Sequence, residues 1–189
     1  MASSSWQTQN RFLEMRTQWL TLIGEHLIDN QGQTLEYWRI EKADSVIILP
    51  IHRQQILLPL PTYRPGLGET TWDFPGGRVS QGQTPSTMVP MILKREMGIG
   101  EDAIAPALAG QLTSLKPLDS TGWAINSAFS NQRLYGFAVD LNPALELDSA
   151  LIGNRLPATQ SGIQDLLSLL TCLQCRAVLL QWWLAQNMA

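Results

Sequence analysis

The apolar positions of the first third of the chain alternate or run together as they do in β-strands. Residues 19–28 and 35–40 are rich in strand-forming side chains, and residues 29–32 between them have the composition of a turn, which predicts a β-hairpin. Residues 45–51 form an almost unbroken apolar run. This run predicts a central strand that is buried on both faces.

Several shorter elements are predicted around these strands. Residues 6–15 are expected to form a short helix capped by Ser5, and residues 56–60 a strand that partners the central one. Pro59 and Pro61 place this partner strand at a sheet edge or make its end irregular. A Gly- and Pro-containing loop over residues 62–71 is expected to lead into a short strand at residues 72–75.

The second half of the chain ends in a helical pattern. Residues 108–115 and 133–141 are predicted strands, and residues 161–187 have apolar positions at helical spacing, with Thr159 or Ser161 as the cap. The order of elements predicts an α/β fold, in which a mixed sheet lies between helices as an α/β/α sandwich. We expect residues 1–43 to form an N-terminal extension of helix and hairpin, and residues 44–189 to form the main domain.

Composition narrows the choice of partners and location. The charged fraction is 15%, against about 25% in typical domains, and the chain has seven tryptophans, which favours burial of surface in a partner subunit. The net charge of −3 and the lack of a Lys/Arg cluster argue against nucleic-acid binding. No signal peptide and no apolar run of about 20 residues is present, so we expect a cytoplasmic protein with no membrane association.

The chain has two cysteines, Cys172 and Cys175, in a C-x-x-C arrangement on the predicted C-terminal helix. A structural zinc site usually takes four ligands, and neither a second cysteine pair nor a nearby histidine supplies the others. We therefore interpret both cysteines as small core residues.

The most informative segment is residues 72–85, which contains Trp72, Gly76 and Gly77, together with residues 96–99, which begin at Glu96. This segment resembles the Nudix box, a strand, loop and helix with the pattern G-x5-E-x7-R-E-U-x-E-E-x-G-U, where U is a bulky aliphatic residue. Aligned without gaps from position 77, the scaffold positions of the pattern match. These positions are Gly77, Leu93, Gly98 and Ile99.

The positions that carry the chemistry of the box mostly differ from the pattern. The first glutamate is replaced by Gln83, the arginine by Met91, and two helix glutamates by Ile92 and Arg95. Only Glu96 keeps a carboxylate. The sequence therefore indicates a Nudix box whose active site is degenerate.

The resemblance extends to the ADP-ribose pyrophosphatase branch of the Nudix superfamily over residues 20–186. It rests on the N-terminal hairpin, on residues 63–66 just before the box, and on the C-terminal helix. It implies a Nudix-type α/β/α sandwich and a homodimer in which the hairpin contributes to the interface. It also implies that Mg²⁺, in an active member, would be bound by the Gly76 carbonyl and Glu96.

The same resemblance implies which residues contact a ligand. Arg64 lies where the branch has a ligand-binding arginine, and its planar fork suits phosphate. Trp72 and Tyr63 are candidates for stacking on a base. Gly76, Gly77 and Arg95 complete the predicted ligand site.

Arg95 stands where the box pattern has a glutamate, and this difference bears most directly on hydrolytic activity. At roughly 6 Å and an effective dielectric of about 20, each unit of charge changes the interaction with Mg²⁺ by several kcal/mol. The leading hypothesis is therefore a protein that binds a nucleoside-diphosphate-linked ligand such as ADP-ribose, with hydrolysis lost or strongly impaired. In it, Arg95 contacts the phosphates in place of the metal.

Two other interpretations are open. The first is an active Mg²⁺-dependent pyrophosphatase that converts ADP-ribose to AMP and ribose 5-phosphate with carboxylates from outside the box, such as Glu101, Asp102 or Glu146. The second is an interaction protein whose pocket has closed. The start of the box helix is also open, because Pro90 falls either in its interior, if Thr84 caps the helix, or in its first turn, if the helix begins near Val89.

Overall fold

The computed structural model of the protein describes residues 5–100 and 115–187. The chain forms two compact units. One unit contains residues 1–43 and 124–133, and the other contains residues 44–123 and 134–189. The predicted boundary at residues 43 and 44 thus coincides with one change of unit, but the first unit also includes a later segment that the prediction did not assign to it.

The first unit is built on a three-stranded antiparallel sheet in the order β1-β2-β3. Its strands are β1 (Gln7–Arg16), β2 (Thr21–Ile28) and β3 (Thr34–Glu41). The turn between β2 and β3 is closed by Asp29, whose Oδ1 accepts the backbone N–H groups of Gln31 and Gln33 at 2.8 Å each. The predicted N-terminal hairpin is confirmed.

The predicted helix over residues 6–15 is wrong, because this segment is the strand β1. The ring of Phe12 lies over Gly24 of β2, where an added Cβ would come within 2.5 Å of it, and packs edge-on against Trp38 at 5.4 Å between ring centroids. These cross-strand aromatic contacts form only when the segment is extended. They outweigh the local preference from which the helix was predicted.

The later segment of the first unit lies along β3. The Ile40 N–H donates to the Phe129 carbonyl at 2.8 Å, and the Lys42 N–H donates to Asn131 Oδ1 at 3.0 Å. The Tyr37 hydroxyl also donates to the Ala128 carbonyl. Residues 124–133 therefore satisfy backbone and side-chain groups that β3 would otherwise present at its edge.

The second unit contains a mixed sheet in the order β10-β11-β4-β5-β12, with β8 paired to β4 and β9 paired to β11. β4 and β11 are parallel. β9 with β11, β12 with β5, and β4 with both β5 and β8 are antiparallel pairs. A separate hairpin consists of β6 (Thr62–Arg64) and β7 (Glu69–Thr71). The sheet strands are β4 (Ser45–His52), β5 (Gln55–Pro59), β8 (Gly76–Arg78), β9 (Leu115–Pro117), β10 (Trp123–Ala124), β11 (Arg133–Asp140) and β12 (Ile152–Pro157).

The prediction for the central strand is confirmed, since every residue of β4 after Ser45 is buried. β5 is not an edge strand, because it lies between β4 and β12. The irregular end predicted from Pro59 is present, and β12 accommodates it by a register shift between Ile152 and Asn154. A proline donates no backbone hydrogen bond, and the register shift lies where this hydrogen bond of the β-ladder is missing.

Two predictions near the box need correction. The expected loop over residues 62–71 contains the β6–β7 hairpin, and the strand expected at residues 72–75 is found at Gly76–Arg78 instead. The two glycines allow the chain to pair closely with β4, so the strand begins there. Most of the strand predicted at residues 108–115 lies outside the described residues.

Three helices are described: α1 (Pro85–Met97), α2 (Gln160–Leu169) and α3 (Leu173–Asn187). Thr84 caps α1 by accepting a hydrogen bond from the Thr87 N–H, so Pro90 falls inside the helix. This is the first of the two alternatives given above. The single C-terminal helix predicted over residues 161–187 is divided into α2 and α3, because Leu170 is extended. Thr159 caps α2, as expected.

The helices of the second unit cover both faces of its sheet. Gly136 of β11 faces α3, where an added Cβ would lie 3.1 Å from Val178. The opposite face packs against α1, and the α/β/α sandwich is confirmed. The core on the α1 side contains Val46, Ile48, Met88, Val89, Ile92, Leu93, Met97, Phe137 and Val139. Among the described residues, no helix combines the length and apolar character needed to cross a membrane.

Candidate functional site

The strand β8 brings the glycines of the box against both β4 and α1. A Cβ added at Gly76 would lie 3.1 Å from the Val46 carbonyl oxygen. A Cβ added at Gly77 would lie 3.1 Å from Ile92 and 3.2 Å from Arg95 Nη2. Only glycine permits this close approach without displacing a neighbour, so the two glycines set the geometry of the site.

The guanidinium of Arg95 connects the two residues that were predicted to bind a metal. Its Nη2 donates to the Gly76 carbonyl oxygen at 2.8 Å and to Glu96 Oε1 at 2.7 Å. This nitrogen belongs to a positively charged group, so both contacts are charge-assisted hydrogen bonds. The structure therefore brings Gly76, Arg95 and Glu96 together, and the positive charge among them is that of the Arg95 guanidinium.

The other altered positions of the box also lack oxygens directed to this point. Ile92 is fully buried in the core beneath Gly77, and Met91 is exposed on α1. Gln83 Oε1 accepts a hydrogen bond from the Thr87 hydroxyl at 2.9 Å. Mg²⁺ requires oxygen ligands in near-octahedral arrangement. The described box residues do not fit this requirement, because Glu96 is their only carboxylate and its Oε1, like the Gly76 carbonyl oxygen, already accepts from Arg95.

Arg64 lies on the β6–β7 hairpin and is held by Asp73. Its Nε donates to Asp73 Oδ2 at 2.7 Å, and the Thr71 hydroxyl donates to the same oxygen at 2.9 Å. The Arg64 side chain is 46% exposed, whereas that of Asp73 is 10% exposed. A guanidinium has five N–H groups, so contact through Nε leaves the Nη donors as the part that could meet a phosphate.

The predicted aromatic residues differ in their surroundings. Trp72 is half-buried, and an added Cβ on Gly153 of β12 would lie 2.7 Å from its ring. Its backbone also bridges to Leu170. Tyr63 is 60% exposed on β6. Trp72 therefore packs against the fold, and Tyr63 is the more accessible ring for stacking on a base.

Asp73 was not among the residues predicted from the sequence. It contacts Arg64 and Thr71 through Oδ2, and its Oδ1 lies 3.6 Å from Cys175 Sγ. No signal in the sequence pointed to this group, because its partners come from segments about 100 residues apart. Glu146 is exposed after β11, and Glu101 and Asp102 lie outside the described residues.

A cavity of about 760 Å³ lies at the far end of β4 from the glycines of the box. It is lined by Arg53, Asp140, Trp182 and Trp183 among others, and none of the predicted site residues contributes to it. The cavity therefore lies in a different part of the second unit from Gly76, Arg95 and Glu96.

Comparison with known proteins places the fold. No family model and no curated protein matches the chain. A solved structure described as a crystal structure of ADP compounds hydrolase aligns with a TM-score of 0.68 and 20% sequence identity, over 98% of this chain and 98% of that chain. The fold is of the Nudix type. At this identity the likeness shows the Nudix-type fold alone, and the chemistry depends on the residues present in the site.

Proposed function

We propose that the protein binds a nucleoside-diphosphate-linked ligand such as ADP-ribose, with the Arg95 guanidinium in place of the metal and with hydrolysis lost or strongly impaired. The observation that supports this proposal is the contact of Arg95 Nη2 with both Gly76 O and Glu96 Oε1. The related fold of an ADP compounds hydrolase is consistent with the class of ligand.

The geometry suits phosphate binding because Arg95 is both anchored and accessible. Its side chain is 58% exposed, so the guanidinium is not closed off from a ligand. Nη2 is held by protein oxygens, which orients the planar fork and reduces the entropy lost when its other donors bind a phosphate. Glu96 acts here as a positioning residue for Arg95. Arg64, which is anchored by Asp73, is proposed to supply the second guanidinium.

The same arrangement argues against metal-assisted hydrolysis. A metal in this reaction generates hydroxide from bound water and stabilises the leaving phosphate. A guanidinium stabilises phosphate charge, but it is not acidic enough to give up a proton at neutral pH and does not activate water as a Lewis acid. Arg95 can therefore replace the electrostatic part of the metal's role only.

The direct test is a calorimetric titration with ADP-ribose in the presence of EDTA, together with a measurement of AMP release in millimolar Mg²⁺. We expect saturable binding to one site per chain in EDTA and no AMP release above a no-protein control. The proposal fails if no binding is seen in EDTA. It also fails if AMP is released and both EDTA and Glu96→Gln abolish the release, since this would support the Mg²⁺-dependent enzyme.

The first unit carries apolar surface that supports the homodimer implied by the sequence. Five large apolar side chains on or beside its sheet are between 40% and 60% exposed. Large exposed apolar side chains in this number are unusual on so small a sheet and are typical of a protein interface. We propose that this surface forms the interface with a second copy of the chain. The five residues are Trp6, Phe12, Met15, Trp19 and Trp38.

Trp19→Glu is expected to weaken this dimer at least about 30-fold, because loss of an aromatic anchor from an interface costs about 2 kcal/mol or more. Trp19 is chosen because it is 60% exposed. Sedimentation velocity over a range of concentrations measures the change. Leu173→Glu is the matched control, since Leu173 is 77% exposed in the other unit. Equal effects of the two substitutions, or a monomeric wild type, would contradict the proposed interface.

A further inference from the structure

The two cysteines of the chain meet a carboxylate at the start of α3. The sulfur atoms of Cys172 and Cys175 and a carboxylate oxygen of Asp73 all lie within 4.8 Å of one another. Cys172 is half-buried, whereas Cys175 is 2% exposed. This grouping differs from the sequence interpretation of two inert core residues, because one sulfur is accessible and both have polar neighbours.

The position of the pair on α3 brings the two sulfurs together. The Arg176 N–H donates to the Cys172 carbonyl at 3.1 Å, which makes Cys172 the N-cap residue and Cys175 the third residue of the helix. A side chain at the N-cap folds back over the first turn, where it meets the N–H groups and the side chain of the third residue. Two cysteines at these positions are within the range that a disulfide spans.

The two thiols differ in the ease with which they lose a proton. A hydrogen bond from the Cys175 side chain, helped by the backbone N–H groups of Cys175 and Gln174, lowers the pKa of Cys172 to about 6. The hydrogen bond with Cys172, together with burial, raises the pKa of Cys175 well above its usual value. Cys172 is therefore a thiolate at neutral pH, and Cys175 keeps its proton.

Asp73 is placed to receive that proton. Its Oδ2 is taken by Arg64 Nε and by the Thr71 hydroxyl, and its Oδ1 faces Cys175 Sγ at 3.6 Å. Sulfur hydrogen bonds are long, so this distance suits a thiol donor and a carboxylate acceptor. The one proton of Cys175 has two alternative acceptors, Asp73 Oδ1 and Cys172 Sγ. An accessible thiolate, a buried protonated thiol and a carboxylate beside it are the three groups that a dithiol exchange requires.

We propose that Cys172 and Cys175 form a thiol–disulfide exchange site, in which Cys172 attacks a small-molecule disulfide of the glutathione type and Cys175 resolves the mixed disulfide. Asp73 takes the proton of Cys175. This inference does not rest on the proposed ligand binding, because neither Arg95 nor a nucleotide takes part in it. The two sites share only Asp73, which also anchors Arg64.

The exchange balances in two steps. The Cys172 thiolate attacks one sulfur of the disulfide, forms a mixed disulfide and releases one thiolate, which takes a proton from water. Cys175 then passes its proton to Asp73, its sulfur attacks Cys172 Sγ, and the second thiolate leaves and takes up that proton. Two electrons pass from the protein dithiol to the small disulfide, which becomes two thiols.

The test treats the reduced full-length protein with oxidised glutathione at pH 7 and follows its intact mass. We expect loss of the mass of two hydrogen atoms, with a monomer-sized band on a non-reducing denaturing gel. Cys175→Ser should stop at a stable glutathione adduct, and Cys172→Ser should form no adduct while folded. Wild-type protein that forms no internal disulfide, or equal adduct formation by the two variants, would overturn the proposal.

Three further measurements separate this site from other uses of the same groups. Asp73→Asn should slow conversion of the mixed disulfide at least about tenfold, because a proton acceptor is lost, while alkylation of Cys172 stays within twofold of wild type. The alkylation rate of Cys172 should reach half its maximum near pH 6. Purification with one equivalent of zinc and thiols that resist alkylation would overturn the proposal in favour of a metal site.

Discussion

Arg95→Glu is expected to reduce the affinity for ADP-ribose in EDTA at least about 100-fold, because a charge-assisted contact worth about 3 kcal/mol is replaced by repulsion. In the wild-type protein, the Arg95 side chain bridges Gly76 O and Glu96 Oε1. A glutamate there would place two carboxylates together at the point where the ligand's phosphates are expected. Calorimetric titration of wild type and variant gives the change directly.

Two control variants make this experiment specific. Lys94→Glu introduces the same change of charge at the neighbouring exposed position of α1 and should change the affinity by less than about threefold, because exposed charges are screened over short distances. Arg95→Lys keeps the charge but loses the planar fork, and we expect an intermediate loss. Equal losses for Lys94→Glu and Arg95→Glu would contradict a direct phosphate contact.

Ile92→Glu is expected to lower the free energy of unfolding by about 4 kcal/mol, since it places an unpaired carboxylate in the core. Ile92 is fully buried beside Val89 and Leu93, although its position in the box pattern is that of a glutamate. Urea denaturation followed by circular dichroism measures the loss. Position 92 is part of the hydrophobic core, so a carboxylate there would conflict with folding.

Ile92→Val provides the matched comparison, because it removes one methylene from the same site and should cost only about 1 kcal/mol. If the carboxylate introduced by Ile92→Glu instead reached a metal, millimolar Mg²⁺ would restore the stability of that variant. We expect no such recovery. A loss below that of Ile92→Val, or a recovery in Mg²⁺, would show that position 92 still faces the site.

The parts of the fold that follow from local pattern were predictable. The apolar run of β4 is a pattern of a few consecutive residues. The Thr84 cap was one of the two alternatives that the sequence left open for the start of α1. β1 could not be predicted in this way, because its extended form depends on the contact of Phe12 with Gly24 and Trp38. Tertiary contacts of this kind carry no local sequence period.

The candidate site likewise has features that the sequence shows and contacts that only the folded structure shows. The departures from the box pattern at positions 83, 91, 92 and 95 are visible in the sequence, because the pattern has fixed spacing. The contact between Arg95 and the Gly76 carbonyl depends on a side-chain conformation and on the approach of β8 to α1. Asp73 and Cys175 are 102 residues apart, and only the placement of α3 brings them together.

The discontinuous first unit has a consequence for shortening the chain. The polypeptide enters or leaves this unit at residues 43, 123 and 133, so its two segments are separated by 80 residues of the other unit. A fragment that starts at residue 44 would keep residues 124–133 but lose β3. Ile40 and Tyr37 of β3 donate the hydrogen bonds that hold this segment. Unpaired backbone would then be exposed in the fragment. Removal of the N-terminal strands is therefore not a neutral trimming, and aggregation of such a fragment would reflect this loss.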